Sequence, residues 1–182
     1  IVFHYTDGAL TRTFPSPWIE IKDAVVSGST ASIGVAYLIA NGSDGSSVSV
    51  TKSATERFSA LAIRISASSW HGTTPPEISA GVTGDSTTPD PDSLNPANWT
   101  IEDTLWIAVM AFDASAGGNI TAYPYTSNRF VSPEISSAGR GGIATTELAN
   151  ESTDPGTFTI PTDQWWAGTI AVRPASGNTA PR

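Results

Sequence analysis

The chain has 182 residues, 39% of them hydrophobic and only 14% charged, with 16 Gly, 13 Pro and no Cys. The lack of Cys excludes disulfides, thiolate metal sites and a Cys nucleophile. A formal charge of −8, with Lys22 and Lys52 as the only lysines, argues against binding a phosphate backbone, and no apolar run reaches the length of a membrane span.

The apolar content is too high for a disordered chain, and the turn residues point to an all-β protein. In chain order, strands are expected over Ile1–Tyr5, Trp18–Val26, Ser32–Ala40, Ser47–Thr51 and Phe58–Ala67. They are short, rich in Val, Ile, Thr and aromatics, and bounded by Gly, Pro, Asn, Asp and Ser. Ile33, Val35 and Tyr37 alternate with smaller residues, as do Val48 and Val50. Ala54 to Phe58 makes a turn at most. From 70 to 102 the chain turns Pro-rich, with Pro75, Pro76, Pro89, Pro91 and Pro96, and reads as a long irregular connection. Strands resume over Thr104–Asp113, Gly142–Asn150, Thr157–Pro161 and Trp165–Pro174. The segments are therefore a first β half over 1–69, the connection over 70–102, a second β half over 103–175 and a flexible tail over 176–182.

The two halves echo one another. Asn41 and Arg64 are 23 residues apart, as are Asn150 and Arg173. Leu38-Ile39-Ala40-Asn41 answers Glu147-Leu148-Ala149-Asn150, and Leu61-Ala62-Ile63-Arg64 answers Ile170-Ala171-Val172-Arg173. Ile1 to Asp7 answers Ile107 to Asp113. The expected architecture is an antiparallel β-sandwich, jelly-roll or immunoglobulin-like, built from two diverged repeat halves offset by roughly 106–109 residues. Arg64 and Arg173 are expected in equivalent structural positions near the sheet end, and Asn41 and Asn150 at turns. The second half carries a run-in, Ile101 to Trp106, that the first half lacks, so the first half reads as missing its N-terminal lead.

Candidate chemistry is sparse. The two histidines, His4 and His71, read as a strand histidine and a loop-surface residue. Asp85, Asp90 and Asp92 could offer oxygens to Ca²⁺ but fall short of the six to eight ligands it takes. Glu20, Asp23 and Glu134 could supply a carboxylate pair only if the fold brought two together. With no nucleophile elbow, phosphate loop or zinc motif, the expectation is a non-enzyme without metal or cofactor. Of the six Trp, Trp18 and Trp106 read as core. Trp166 shares parity with Ile170 and Val172 and should face inward; Trp165 then packs a second layer or lies at an interface. Trp70 and Trp99 flank the Pro-rich connection and either pin it to the sheets or stack on a ligand such as a sugar.

Pro17-Trp18, the Ala40-Asn41-Gly42-Ser43 turn, Phe58 to Arg64, Thr88 to Leu94, Asp103 to Val109 and the closing Trp165 to Pro174 together resemble a family of β-sandwich structural proteins of tailed bacteriophages and prophages, often encoded among head and tail genes. The resemblance covers Ile1 to Ala175. Family members usually begin with a Gly-Asp-Leu-Leu-like strand start, which corresponds to Glu102 to Leu105 here. The resemblance implies a virion structural protein on the particle exterior, an accessory tail or fibre component or a capsid decoration. Its partners would be other virion proteins and further copies of itself, with neither nucleic acid nor membrane. No functional residue carries over. The alternative is a glycan- or cell-surface-binding module of the same fold, with Trp70, Trp99 or Trp165 as its contact.

Overall fold

The structure, a computed structural model, describes residues 1–114, 118–133 and 139–175. The flexible-tail expectation for 176–182 lies outside these residues. Among them there is no α-helix, only one 3₁₀ turn at Ser27–Ser29. The fold is all-β and antiparallel, with two main sheets packed face to face.

The first sheet contains β1 (Val2–Asp7), β3 (Ile19–Val25), β4 (Ala31–Tyr37) and β6 (Phe58–Ala62), in the order β3-β4-β1-β6. Alternation decides its two faces. Phe3 and Tyr5, with Ile33 and Val35, point to the second sheet, whereas Val2 and Ala36 point outward against Phe14, Trp18 and Val50. A two-stranded strap crosses this outer face, made of β2 (Arg12–Thr13) and β5 (Thr51–Lys52). The strand expected over Ser47–Thr51 shrinks to this piece.

The second sheet contains β9 (Glu102–Phe112), β10 (Ser127–Val131), β11 (Arg140–Asn150) and β12 (Asp163–Val172), in the order β10-β11-β9-β12. Beyond β12 lie β7 (Glu77–Ile78) and β8 (Val82–Ser86), each paired to a different stretch of it. These two short strands are the extended part of the 70–102 segment before β9 begins, and the rest of it is irregular apart from one bridge at Leu94. The two pieces are separated by Ser79-Ala80-Gly81, where Gly81 takes a φ of 79° and the edge strand bends. β10 was not foreseen, because Ser127–Val131 is exposed throughout and carries no buried alternation.

Ile107, Val109, Ala111, Ile143, Trp166 and Ile170 face the first sheet. The other face of the second sheet is also buried: Trp106, Met110, Phe112 and Trp165 pack under Trp99, Ile120, Phe158 and Ile160 from the loops. Burial on both sides explains why Trp106 to Phe112 is an apolar run instead of an alternation. The strand expected at Thr157–Pro161 has only one isolated bridge, Ala122 to Thr159; the segment serves as cover, with Phe158 fully buried. The sheets approach closely at Gly141, where a Cβ would stand 2.0 Å from Tyr5 Cε1 and 2.4 Å from the Met110 carbonyl.

Every strand of the first sheet comes from the first 62 residues, and every strand of the second from residue 77 onward. An immunoglobulin sandwich instead mixes early and late strands in each sheet.

Candidate functional site

The polar side chains that sequence reasoning singled out are mostly spent inside the fold. Arg173 donates from Nε to Glu102 Oε2 at 2.8 Å and from Nη2 to Oε1 at 2.5 Å, and its guanidinium lies 5.9 Å from the centre of the Trp99 ring. The hydrogen bonds to Arg173 hold the Glu102 carboxyl below its usual range, against a smaller opposing effect of burial. Arg64 is different. It is exposed and makes no ion pair among the described residues. The two arginines therefore do not share an environment, and strand register gives the reason. Val2 pairs with Ala62 in one sheet and Ala108 with Thr169 in the other, so matching Val2 to Ala108 sets Arg64 against Ala171, two residues short of Arg173. Arg173 finds its carboxylate on the run-in strand, and Arg64 has no such neighbour.

Asn41 does form a turn. Its Oδ1 accepts from the Ser43 amide at 2.8 Å, its own amide donates to Asp44 Oδ2 at 2.8 Å, and Gly42 follows with φ of 88°. Asn150 instead ends β11, paired with Glu102. Trp166 lies in the core between the sheets, as its parity required. Trp165 packs in the outer cluster, with Nε1 donating to Ser86 Oγ at 3.1 Å. Gly84 makes room for its ring: a Cβ there would stand 2.4 Å from Trp165 Cζ2. Trp99 is also buried in this cluster, and Trp70 is half-buried against the inter-sheet core. Trp99 and Trp165 thus pin the 70–102 segment and offer no open stacking face.

Three polar clusters hold loops to sheets. The first is centred on Arg12, which sequence reasoning missed. Its buried guanidinium ion-pairs with Asp23 and donates from Nη2 to Thr6 Oγ1 and Ser32 Oγ, both at 2.7 Å. Burial lowers the Arg12 pKa, and the Asp23 charge opposes that shift. The arginine stem lies over Gly34, where a Cβ would stand 2.2 Å from Arg12 Cδ. His4 is buried on the same face, stacked on Phe58 at 5.1 Å with its Nδ1 unpartnered among the described residues. Burial, then Arg12 and Lys52, bring its pKa down to about 4. The fold does bring Glu20 and Asp23 into one electrostatic neighbourhood, and Glu20 is shifted upward by burial first and Asp23 second. Both face Arg12 on the strand surface. Glu134, the third carboxylate considered, lies outside the described residues.

The second cluster is a clasp. Ser79 Oγ donates to Asp92 Oδ1 at 2.5 Å, the Gly81 amide donates to Asp92 Oδ2 at 3.0 Å, and the Thr169 amide donates to Ser79 Oγ at 2.8 Å. Lys22 reaches from the first sheet to the carbonyls of Ser79 and Ala80. Asp92 is therefore a structural acceptor. No group of three or more His, Asp or Glu among the described residues is placed to hold a metal ion. The third cluster is the Arg173 pair, with His71 beside it; the His71 amide donates to the Arg173 carbonyl at 3.0 Å, and its ring Nδ1 contacts Thr74 Oγ1 at 2.8 Å.

Open grooves lie at the end of the first sheet where β1 begins. One, of about 560 Å³, lies between the sheets beside Ile63, Ile65, Leu105 and Phe130. The other, of about 690 Å³, lies on the outer face beside Val2, Trp18 and Leu38. No family model matches the chain, and no curated protein or solved structure is detectably similar to it.

Proposed function

We propose that this protein is a non-enzymatic structural component of a bacteriophage particle, carried in many copies on the exterior as a capsid decoration or an accessory tail or fibre protein. The observation that carries the reading is the use of polar chemistry. The Arg12, Asp92 and Arg173 clusters each tie a loop or strap to a sheet, leaving a doubly covered sandwich that acts through its surface and strand edges. The charge of −8 fits an outward-facing place better than one against packaged genome. Stepwise dissociation of purified virions, followed by mass spectrometry, tests the proposal. Release of the chain with the outer shell is expected; its absence from intact particles, or its recovery with the DNA, would refute it.

The same reading treats the body as two diverged copies of one four-stranded unit. Its support is strand order: β3-β4-β1-β6 corresponds position by position to β10-β11-β9-β12. Register agrees in outline, since Val2 lies between Ala36 and Ala62 and Ala108 between Ala144 and Thr169.

A further inference from the structure

The loop that leaves β4 carries the one Asn-Gly pair of the sequence, Asn41-Gly42. Every other Asn is followed by Pro96, which has no N–H, or by a residue whose side chain crowds its own amide, such as Trp99, Ile120, Arg129 or Glu151. Asn41 and Gly42 are both exposed. The Gly42 amide makes no hydrogen bond among the described residues. The space beside it is open, since a Cβ on Gly42 would meet nothing within 4 Å. An unhindered main-chain nitrogen therefore follows a side-chain amide whose carbon it can reach by closing a five-membered ring.

The turn holds that side chain in place. Asn41 Oδ1 accepts from the Ser43 amide at 2.8 Å, which folds the carboxamide back along the Gly42 peptide. The Asn41 amide is itself held by Asp44 Oδ2 at 2.8 Å, so both ends of the residue are fixed. The Ser43 hydrogen bond also has an electronic effect. It draws density from Cγ, and its donor sits at the oxygen that becomes negative when Cγ is attacked, as in an oxyanion hole. No other Asn side chain makes a hydrogen bond of this kind among the described residues, and Asn128 and Asn150 are confined in strands.

We propose that Asn41 is a self-modifying site, which loses its side-chain amide without an enzyme to become aspartate and isoaspartate. The Gly42 nitrogen gives up its proton and bonds to Asn41 Cγ. The Cγ–Nδ2 bond breaks, and the side-chain nitrogen leaves as ammonia with that proton. The cyclic imide that remains is opened by water at either carbonyl. Opening at Cγ restores the ordinary main chain with an aspartate side chain. Opening at the main-chain carbonyl routes the chain through Cβ and Cγ and leaves a carboxylate on Cα. Either product adds one negative charge to the −8 of the chain, beside Asp44. The isoaspartate also lengthens the main chain by one carbon, in the loop that leads from β4 to the strap strand β5. The proposal stands independently of the virion reading.

The test incubates the full chain in mildly alkaline buffer and follows each Asn by peptide mass spectrometry, with an isoaspartate methyltransferase as the label. Asn41 should lose its amide and take up the methyl label, while Asn98, Asn119, Asn128 and Asn150 stay intact over the same period. An unchanged Asn41, or any of the others converting as fast, would overturn the site. Two variants address the turn. Ser43→Pro removes the N–H that bonds Oδ1, and Ser43→Ala keeps it. The folded Pro variant should react at least about tenfold more slowly than the native chain, because the oxyanion donor is gone. The Ala variant should keep the native rate. In urea the turn is absent, so the gap between the Pro variant and the native chain should close. No slowing in the folded Pro variant, or the same slowing in urea, would overturn the part given to the Ser43 amide.

Discussion

His4 gives the sharpest prediction, because its environment ties stability to pH in a stated direction. Its ring is buried, and burial, with Arg12 and Lys52, brings its pKa down from 6.5 to about 4. As pH falls below 6.5 the unfolded chain takes up a proton that the folded chain refuses, so stability declines down to about pH 4 and then levels off. A difference of that size corresponds to about 3 kcal/mol. Phe58, which covers the ring, is itself 50% exposed. Solvent screening therefore brings the expected loss at pH 4.5 to about 2 kcal/mol, or about 1 M in a urea midpoint. Carboxylates titrate in the same range, so the measurement is a difference: urea unfolding at pH 7 and pH 4.5 for the native chain and for His4→Phe, which keeps the ring stack. The variant should lose about 2 kcal/mol less between the two pH values, whatever its absolute stability. Equal losses, or an NMR titration placing His4 near 6.5, would refute the reasoning.

Asp23→Ala should cost about 3 kcal/mol in chemical unfolding, because it leaves the buried Arg12 guanidinium without its counter-charge. Asp92→Ala removes the acceptor for Ser79 and Gly81 and should cost about 2 kcal/mol. Exchange mapping should show amide protection lost first over Glu77 to Ser86, while the Val2–Asp7 ladder stays protected. Gly141→Ala forces a Cβ against Tyr5 and the Met110 carbonyl and should cost about 2–3 kcal/mol, read as a lowered melting temperature.

What could be read from the sequence followed burial. β9, β11 and β12 announce themselves because sheet and cover bury them on both faces, and β1 and β4 because their apolar rows face the second sheet. β10 could not be read, since exposure leaves its composition free, and β7 and β8 were hidden because they are short and no residue in them is fully buried. The proposed repeat rests on segments such as Leu38 to Asn41 against Glu147 to Asn150, yet matching letters set Arg64 against Arg173, whereas matching the halves by strand order sets it against Ala171. The Arg12 cluster was invisible because its members come from the strap and from three strands, β1, β3 and β4, that only folding brings together. One signal was available: Gly34 within an otherwise apolar strand marks a close approach, and Arg12 is what approaches.

Because each sheet draws on one contiguous stretch of chain, each can pair its strands without waiting for the other. Neither, though, can bury the face carrying Phe3 and Tyr5, or Ile107 and Val109, until the two dock. Hydrogen-bonded order is thus local to each half, while the hydrophobic driving force belongs to their meeting. A chain cut between Ile65 and Trp70 would yield two fragments, each able to pair its own strands and each exposing an apolar sheet. Mixed together, they should reassemble non-covalently, with a concentration dependence the intact chain lacks.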